Sequence, residues 1–357
     1  MEQQLWKACS DGKVEDVINL LQDEQMNINW QNGNDFDKTP FYIACYYGYI
    51  EIVKLLLNDK RVDINKADKY ARTPFNSACY DGFIDIVKLL LNDHRVDVNK
   101  ATQGGWTPFY SACRNGHIEM VKLLLNNNRV DINKANQSDQ TPFYIACDEG
   151  HIEIVKLLLD DQRVDINKAD NRGGTPFYIV CEKDLIEIVK LLLNDDRTDI
   201  NKAESFGQTS FYIACFYGYI EIVKLLLNDK RIADINKTDN YDQTPFYSAC
   251  ENRHIEIVKL LLDDHRVDIN RANSFGKTPL YIACFWNRIG IVKYLLSSGR
   301  EIDINKKDND EKSVFDIARE KVKSKKKIIE LIESFERNQN ETRMKLRIEL
   351  GLAGKFY

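Results

Sequence analysis

The stretch Thr39-Pro40-Phe41-Tyr42-Ile43-Ala44-Cys45-Tyr46-Tyr47-Gly48-Tyr49-Ile50-Glu51-Ile52-Val53-Lys54-Leu55-Leu56-Leu57 decides the fold. Thr39 is a helix N-cap, and Pro40 suits the first helical turn, where its missing N–H would have no partner. Phe41, Ala44 and Cys45 share one face at helical spacing. Gly48 supplies the left-handed residue that ends this helix. Ile50 to Leu57 form a second helix, apolar almost all round except at Glu51 and Lys54, so both of its flanks need cover. Asn58-Asp59-Lys60-Arg61 breaks it, and Val62, Ile64 and Asn65 lead to a turn that ends at the next Thr.

That next Thr is Thr73. Thr-Pro-Phe begins at Thr39, Thr73, Thr107, Thr141, Thr175 and Thr244, with variants at Thr209, Thr278 and Ser313. Successive spacings are 34, 34, 34, 34, 34, 35, 34 and 35 residues, and a weaker first copy lies at Leu5 to Gly12. A fixed period of this kind signals a repeat architecture of about ten units. All seven prolines and all nine cysteines (Cys9, Cys45, Cys79, Cys113, Cys147, Cys181, Cys215, Cys250, Cys284) keep one phase each. Residue types locked to a phase point to a duplicated structural unit.

The quoted pattern, closed by Val62-Asp63-Ile64-Asn65, resembles the ankyrin repeat over roughly residues 4 to 334. The resemblance implies an all-α fold: an ankyrin-repeat solenoid of stacked helix pairs with β-hairpin-type loops, about 90 Å long at ~9 Å per pair. Two departures stand out. The family's usual His after Thr-Pro-Leu is Tyr here (Tyr42, Tyr110, Tyr144, Tyr178, Tyr212, Tyr247, Tyr281) or Asn76, and the helix-ending Gly becomes Asp184, Arg253 or Asn287. Residues 1–34 are expected to form an N-terminal capping repeat, 35–312 the tandem repeats, 313–334 a degenerate C-terminal capping repeat, and 335–357 a tail with a short helix. In the last cap, Ile328, Ile329, Leu331, Ile332 and Phe335 should face inward, and Lys325, Lys326, Lys327, Glu330 and Glu333 outward. In the tail, Asn340 is the expected cap of a helix whose Met344, Ile348 and Leu352 form one apolar stripe.

Composition excludes several classes. The chain has 357 residues, 43% hydrophobic and 29% charged, with a net charge of −5, so no global field draws it to nucleic acid or anionic lipid. No apolar run approaches the ~20 residues of a membrane span, and no signal-peptide core follows Met1. An odd cysteine count without CxxC favours a reducing, cytoplasmic or nuclear setting. No HExxH, P-loop, dinucleotide-binding glycine pattern or GxSxG occurs, so no catalytic residue, metal site or cofactor is expected. The cysteines read as buried small residues, since equivalent helices ~8–10 Å apart cannot bridge.

Function should then lie where the copies differ. The resemblance implies that partners bind the concave face, built from hairpin tips and the exposed end of each first helix. Two aromatic patches stand at those positions: Phe36, Tyr46, Tyr47, Tyr70, Tyr80 and Trp106, then Phe206, Phe216, Tyr217, Tyr241, Phe275, Phe285 and Trp286. A charged stretch with Asp148, Glu149, Glu182 and Lys183 lies between them in sequence. Exposed rings bury much area at small entropic cost. The expected function is a non-catalytic, monomeric protein-binding scaffold or adaptor, holding a protein or peptide segment and no small-molecule substrate. The alternatives are a regulator of a bound enzyme, a substrate adaptor for a modification complex, or nucleic-acid association through the basic run Lys321 to Lys327. The resemblance also makes the hairpin asparagines, such as Asn65, candidates for hydroxylation; a structural turn role is the competing reading.

Overall fold

The computed structural model describes residues 1–319 and 322–352, with the backbone alone for 322–324. Its Cα packing divides the chain into two units, Met1–Asn171 and Arg172–Tyr357. In the first, inner helices Glu2–Ser10, Pro40–Tyr46, Pro74–Asp81, Pro108–Arg114 and Pro142–Asp148 alternate with outer helices Val14–Leu20, Ile50–Asn58, Ile84–Leu91, Ile118–Leu125 and Ile152–Leu159. In the second, inner helices Pro176–Glu182, Ser210–Tyr217, Pro245–Glu251, Pro279–Phe285 and Val314–Arg319 alternate with Ile186–Leu193, Ile220–Asn228, Ile255–Leu262, Ile289–Ser297 and Val322–Arg337, and Gln339–Glu349 follows. Within each unit, inner helices pack on inner and outer on outer, repeat against repeat.

Each inner helix starts as its sequence dictates. The Thr39 hydroxyl accepts the Tyr42 N–H at 3.0 Å, and the same bond recurs from Thr73 to Thr278. Loss of such a cap costs about 1 kcal/mol. Pro40 to Cys45 are buried without interruption, because the neighbouring inner helices and the outer helix together enclose the whole cylinder. The outer helices from Ile50–Asn58 to Ile255–Leu262 bury only three or four residues each, and their solvent side carries Glu–Lys pairs such as Glu51–Lys54 at 2.7 Å.

The hairpin-type loops are tight turns, without strands among the described residues. Asp68 N–H donates to Arg72 O at 3.0 Å and Ala71 N–H to Asp68 O at 3.0 Å. The Asp68 carboxylate accepts the N–H groups of Tyr70 and Arg72, both at 2.9 Å. Asn136, Asp239, Asn273 and Asp308 do the same work in their own loops. Most of the tyrosines that stand at the family's histidine position reach into this network. The hydroxyls of Tyr144, Tyr212 and Tyr281 donate to Asp170 (3.2 Å), Asp239 (3.0 Å) and Asp308 (2.6 Å), tying an inner helix to the next loop. Tyr42 is the exception: its buried hydroxyl has no partner, while Arg72 holds the Asp68 carboxylate.

Two expectations for the last helices are corrected. Lys325 is buried, not outward: its ammonium donates to Ile317 O at 3.1 Å and lies 5.4 Å from the Phe285 ring. The final helix is capped by Asn338, which accepts the Glu341 N–H at 3.1 Å, not by Asn340. Its buried residues are Thr342 and Leu346, while Met344 and Ile348 are exposed. The docked face is offset from the apolar stripe because Arg343 reaches back to Arg300 O and Lys293 pairs with Glu349, fixing the helix's rotation.

Candidate protein-binding surface

Tips and helix ends meet through a cation. Lys38, just before Thr39, is buried, and its ammonium lies 5.7 Å from the ring of Phe36 at the tip, 5.9 Å from Tyr42 and 4.3 Å from Tyr46 at the helix end. Asp35 pairs with it at 3.1 Å. One face of the repeat therefore carries both classes of residue that the sequence singled out. In the first unit Phe36 and Tyr70 are in ring contact at 5.6 Å, with Lys69 over both. Tyr46 meets Tyr47 edge-on at 5.0 Å, and Trp106 lies under the Arg114 guanidinium at 4.3 Å. Tyr80 is exposed and joins no ring pair among the described residues.

The second unit repeats the construction. Phe216 meets Tyr217, and Phe285 meets Trp286, edge-on at 5.0 Å in both cases. Lys277 lies 5.7 Å from Phe275, 5.7 Å from Tyr281 and 5.8 Å from Phe285. The Trp286 indole N–H donates to Glu251 at 3.4 Å. Phe206 and Tyr241 project from their tips without a ring neighbour among the described residues. All thirteen candidate rings are exposed or half-buried. In the charged stretch, Arg114 stands 3.7 Å from Glu149.

Other chemistry-bearing groups are occupied structurally. The nine thiols are free and buried, and burial pushes those of Cys9 and Cys284 up to about 12, far from reactive thiolates. Nε2 of His117, His151 and His254 lies 2.8–2.9 Å from the carbonyl of Tyr80, Arg114 or Phe216; a carbonyl only accepts, so that nitrogen carries the proton. Among the described residues no group of three His, Cys, Asp or Glu could hold a metal, and no helix is long and apolar enough to cross a membrane. Lys321 and the side chain of Lys323, in the basic run, lie outside the described residues. A cleft of about 320 Å³ beside the last helix is lined by Lys259, Tyr294, Arg347 and Leu352 among others, with acids and bases mixed.

Sequence reasoning missed the inter-repeat asparagine ladder. Asn65 Nδ2 donates to Arg95 O at 2.7 Å, and its Oδ1 accepts the Asp97 N–H at 2.9 Å. Asn29, Asn99 and Asn133 in the first unit, and Asn201, Asn236 and Asn270 in the second, make the same two bonds. Their phase is visible in the chain, but a partner about thirty residues away leaves no local signal.

These helix pairs, capped by Thr-Pro and locked by turn loops to their neighbours, define a repeat protein whose surface is made by loop tips and helix ends. The family model for ankyrin repeats matches residues 5–102, 94–170, 162–239 and 231–308, and the chain belongs to that family. Ankyrin repeats are protein–protein interaction modules and typically non-catalytic. A comparison with curated proteins finds no match.

Proposed function

We propose that the chain is a non-catalytic scaffold or adaptor that holds a partner protein segment on the face where hairpin tips and inner-helix ends meet. One observation carries this reading: large rings stay exposed at two phase positions in some repeats, while Ser138, Arg172, Asp148 and Glu182 fill the same positions elsewhere. Phased apolar exposure on a protein with a buried core marks an interaction site. Ten of the thirteen rings are held by neighbouring rings or cations, so little side-chain entropy is lost there on binding. In this reading the scaffold is monomeric, and works in the cytoplasm or nucleus.

The test is affinity capture from native cell extract, read by mass spectrometry. Wild type runs beside the variant Tyr46→Ala/Tyr47→Ala/Phe216→Ala/Tyr217→Ala/Phe285→Ala/Trp286→Ala. A partner retained by wild type and lost by the folded variant is the expected result. Equal recovery by both would remove the binding site from these rings.

A further inference from the structure

Two loops of the second unit are nearly the same sequence: Ser205-Phe206-Gly207-Gln208-Thr209 and Ser274-Phe275-Gly276-Lys277-Thr278. Their backbones match as well, with φ of 81° at Gly207 and 76° at Gly276, and Thr209 and Thr278 in the same extended cap conformation. Each is followed at equal spacing by a Tyr and a Phe: Tyr212 and Phe216, then Tyr281 and Phe285. The same three ring positions recur once more, as Phe36, Tyr42 and Tyr46. There the Tyr42–Tyr46 rings are 6.4 Å apart with planes at 20°, and the Tyr212–Phe216 rings 6.5 Å apart at 20°. One residue pattern thus occurs three times, and its Tyr–ring stacking geometry matches in the two sets just described.

Two of the three sets are filled by the chain's own lysine, Lys38 or Lys277, with its ammonium 4.3–5.9 Å from all three rings. The third has Gln208 at that position, and its side-chain oxygen is turned to the Tyr178 hydroxyl at 3.4 Å. No Lys or Arg of the described residues stands over Phe206, Tyr212 or Phe216. Phe206 is the most open of the three tip rings, 62% exposed against 42% for Phe36 and 52% for Phe275. The charge beneath the loop differs as well. Glu204, whose carboxylate accepts the Phe206 N–H at 2.8 Å, stands where the filled set has neutral Asn273. The unfilled set therefore offers the open face of Phe206 and the half-buried ring of Phe216, above a buried Tyr212, beside a fixed negative charge, and the filled one carries its own cation.

We propose that Phe206 and Phe216 form a docking site for a lysine or arginine side chain of a basic partner segment, which plays the part that Lys277 plays for Phe275 and Phe285 in the sister repeat. The proposal deepens the scaffold reading and rests on it. A ring face attracts a cation through its quadrupole, and the attraction grows as the pair is desolvated. Glu204 adds an attraction that an acidic segment would meet as repulsion.

The experiment measures fluorescence anisotropy of a labelled, capped octalysine peptide, and of the octaglutamate counterpart, on the full chain at low ionic strength. Wild type should bind octalysine and leave octaglutamate free. Phe206→Leu/Phe216→Leu keeps apolar bulk and charge but removes the π faces, and should weaken octalysine binding about 5–10-fold. Gln208→Lys rebuilds a sequence that position 277 already carries in a folded repeat, and should block the site. Lys277→Gln should open a second one and raise the stoichiometry. Equal octalysine binding by wild type and the leucine variant overturns the proposal. If the leucine variant keeps octalysine but loses the cellular partner, the cation site is refuted and the scaffold reading stands. If it loses octalysine but keeps the partner, the cation site holds and these rings are not the partner's anchor.

Discussion

At the residue scale the repeat demands two left-handed residues, and the chain does not always supply glycine. The position two before each capping Thr has positive φ throughout: Gly105, Gly173, Gly207 and Gly276 fill it without strain, but Ala71 holds φ 59°. The helix-ending position is Gly12, Gly48, Gly82, Gly116, Gly150 or Gly218 in six repeats, and Asp184, Arg253 or Asn287 at φ 57–68° in three. An L-residue there costs ~1–2 kcal/mol, offset in part by glycine's greater unfolded-state entropy. Ala71→Gly and Arg253→Gly should each stabilise the chain by about 0.5–1 kcal/mol, seen as a raised urea midpoint with unchanged slope. Gly218→Ala should do the opposite, because its Cβ would sit 2.4 Å from the His254 ring. These positions are legible in the sequence, since a phased Gly and its replacements stand out when the copies are aligned. That the turn keeps its left-handed form without Gly is not legible there: it depends on the packing of the residue that follows, such as Arg288, whose guanidinium reaches back to Glu251 O at 3.4 Å.

At the element scale an Arg of the following repeat closes an outer helix at several places within each unit. The Arg61 guanidinium donates to Leu21 O and Asp23 O at the end of the preceding outer helix, at 3.1 and 2.9 Å, while Asp59 holds it at 2.6 Å. Arg95 and Arg163 in the first unit, and Arg231 and Arg266 in the second, repeat the clamp. Cations suit a helix C-terminus, where unpaired carbonyls concentrate negative potential. The period exposes the Arg and the Asp two residues before it, but not their target, because a bond reaching 38 residues back leaves no mark on the local pattern. The Arg hydrogen bonds hold the carboxyls of Asp59, Asp93, Asp161, Asp195, Asp229 and Asp264 below the ordinary Asp value. A folded-state pKa below the unfolded one gives stability that is complete above pH ~4 and is lost as pH falls through the folded value. Urea midpoints should therefore hold near neutrality and fall below pH ~4. Arg231→Gln should lower the midpoint at pH 7 and flatten that acid limb; an unchanged acid limb would remove Asp229 from the account.

At the scale of the whole molecule stability is a sum over repeats and their nearest-neighbour interfaces, so opening need not be uniform along the chain. The repeats are almost identical in their buried residues and differ at the helix-ending turn, which places the weak points at Asp184, Arg253 and Asn287. The molecule carries its own reporters: one buried free thiol in every repeat but the last, three residues before that turn in Cys181, Cys250 and Cys284. Burial raises each of these thiols, so labelling requires the repeat to open. Pulsed alkylation in mild urea, resolved by peptide mass spectrometry, should modify Cys181, Cys250 and Cys284 before Cys147 and Cys215, whose repeats end in Gly150 and Gly218. Arg253→Gly should delay Cys250 and leave Cys147 unchanged, because coupling reaches only adjacent repeats. A single common labelling rate for all nine thiols would instead mean that the chain opens as one cooperative body, with the turn residues too weak to divide it.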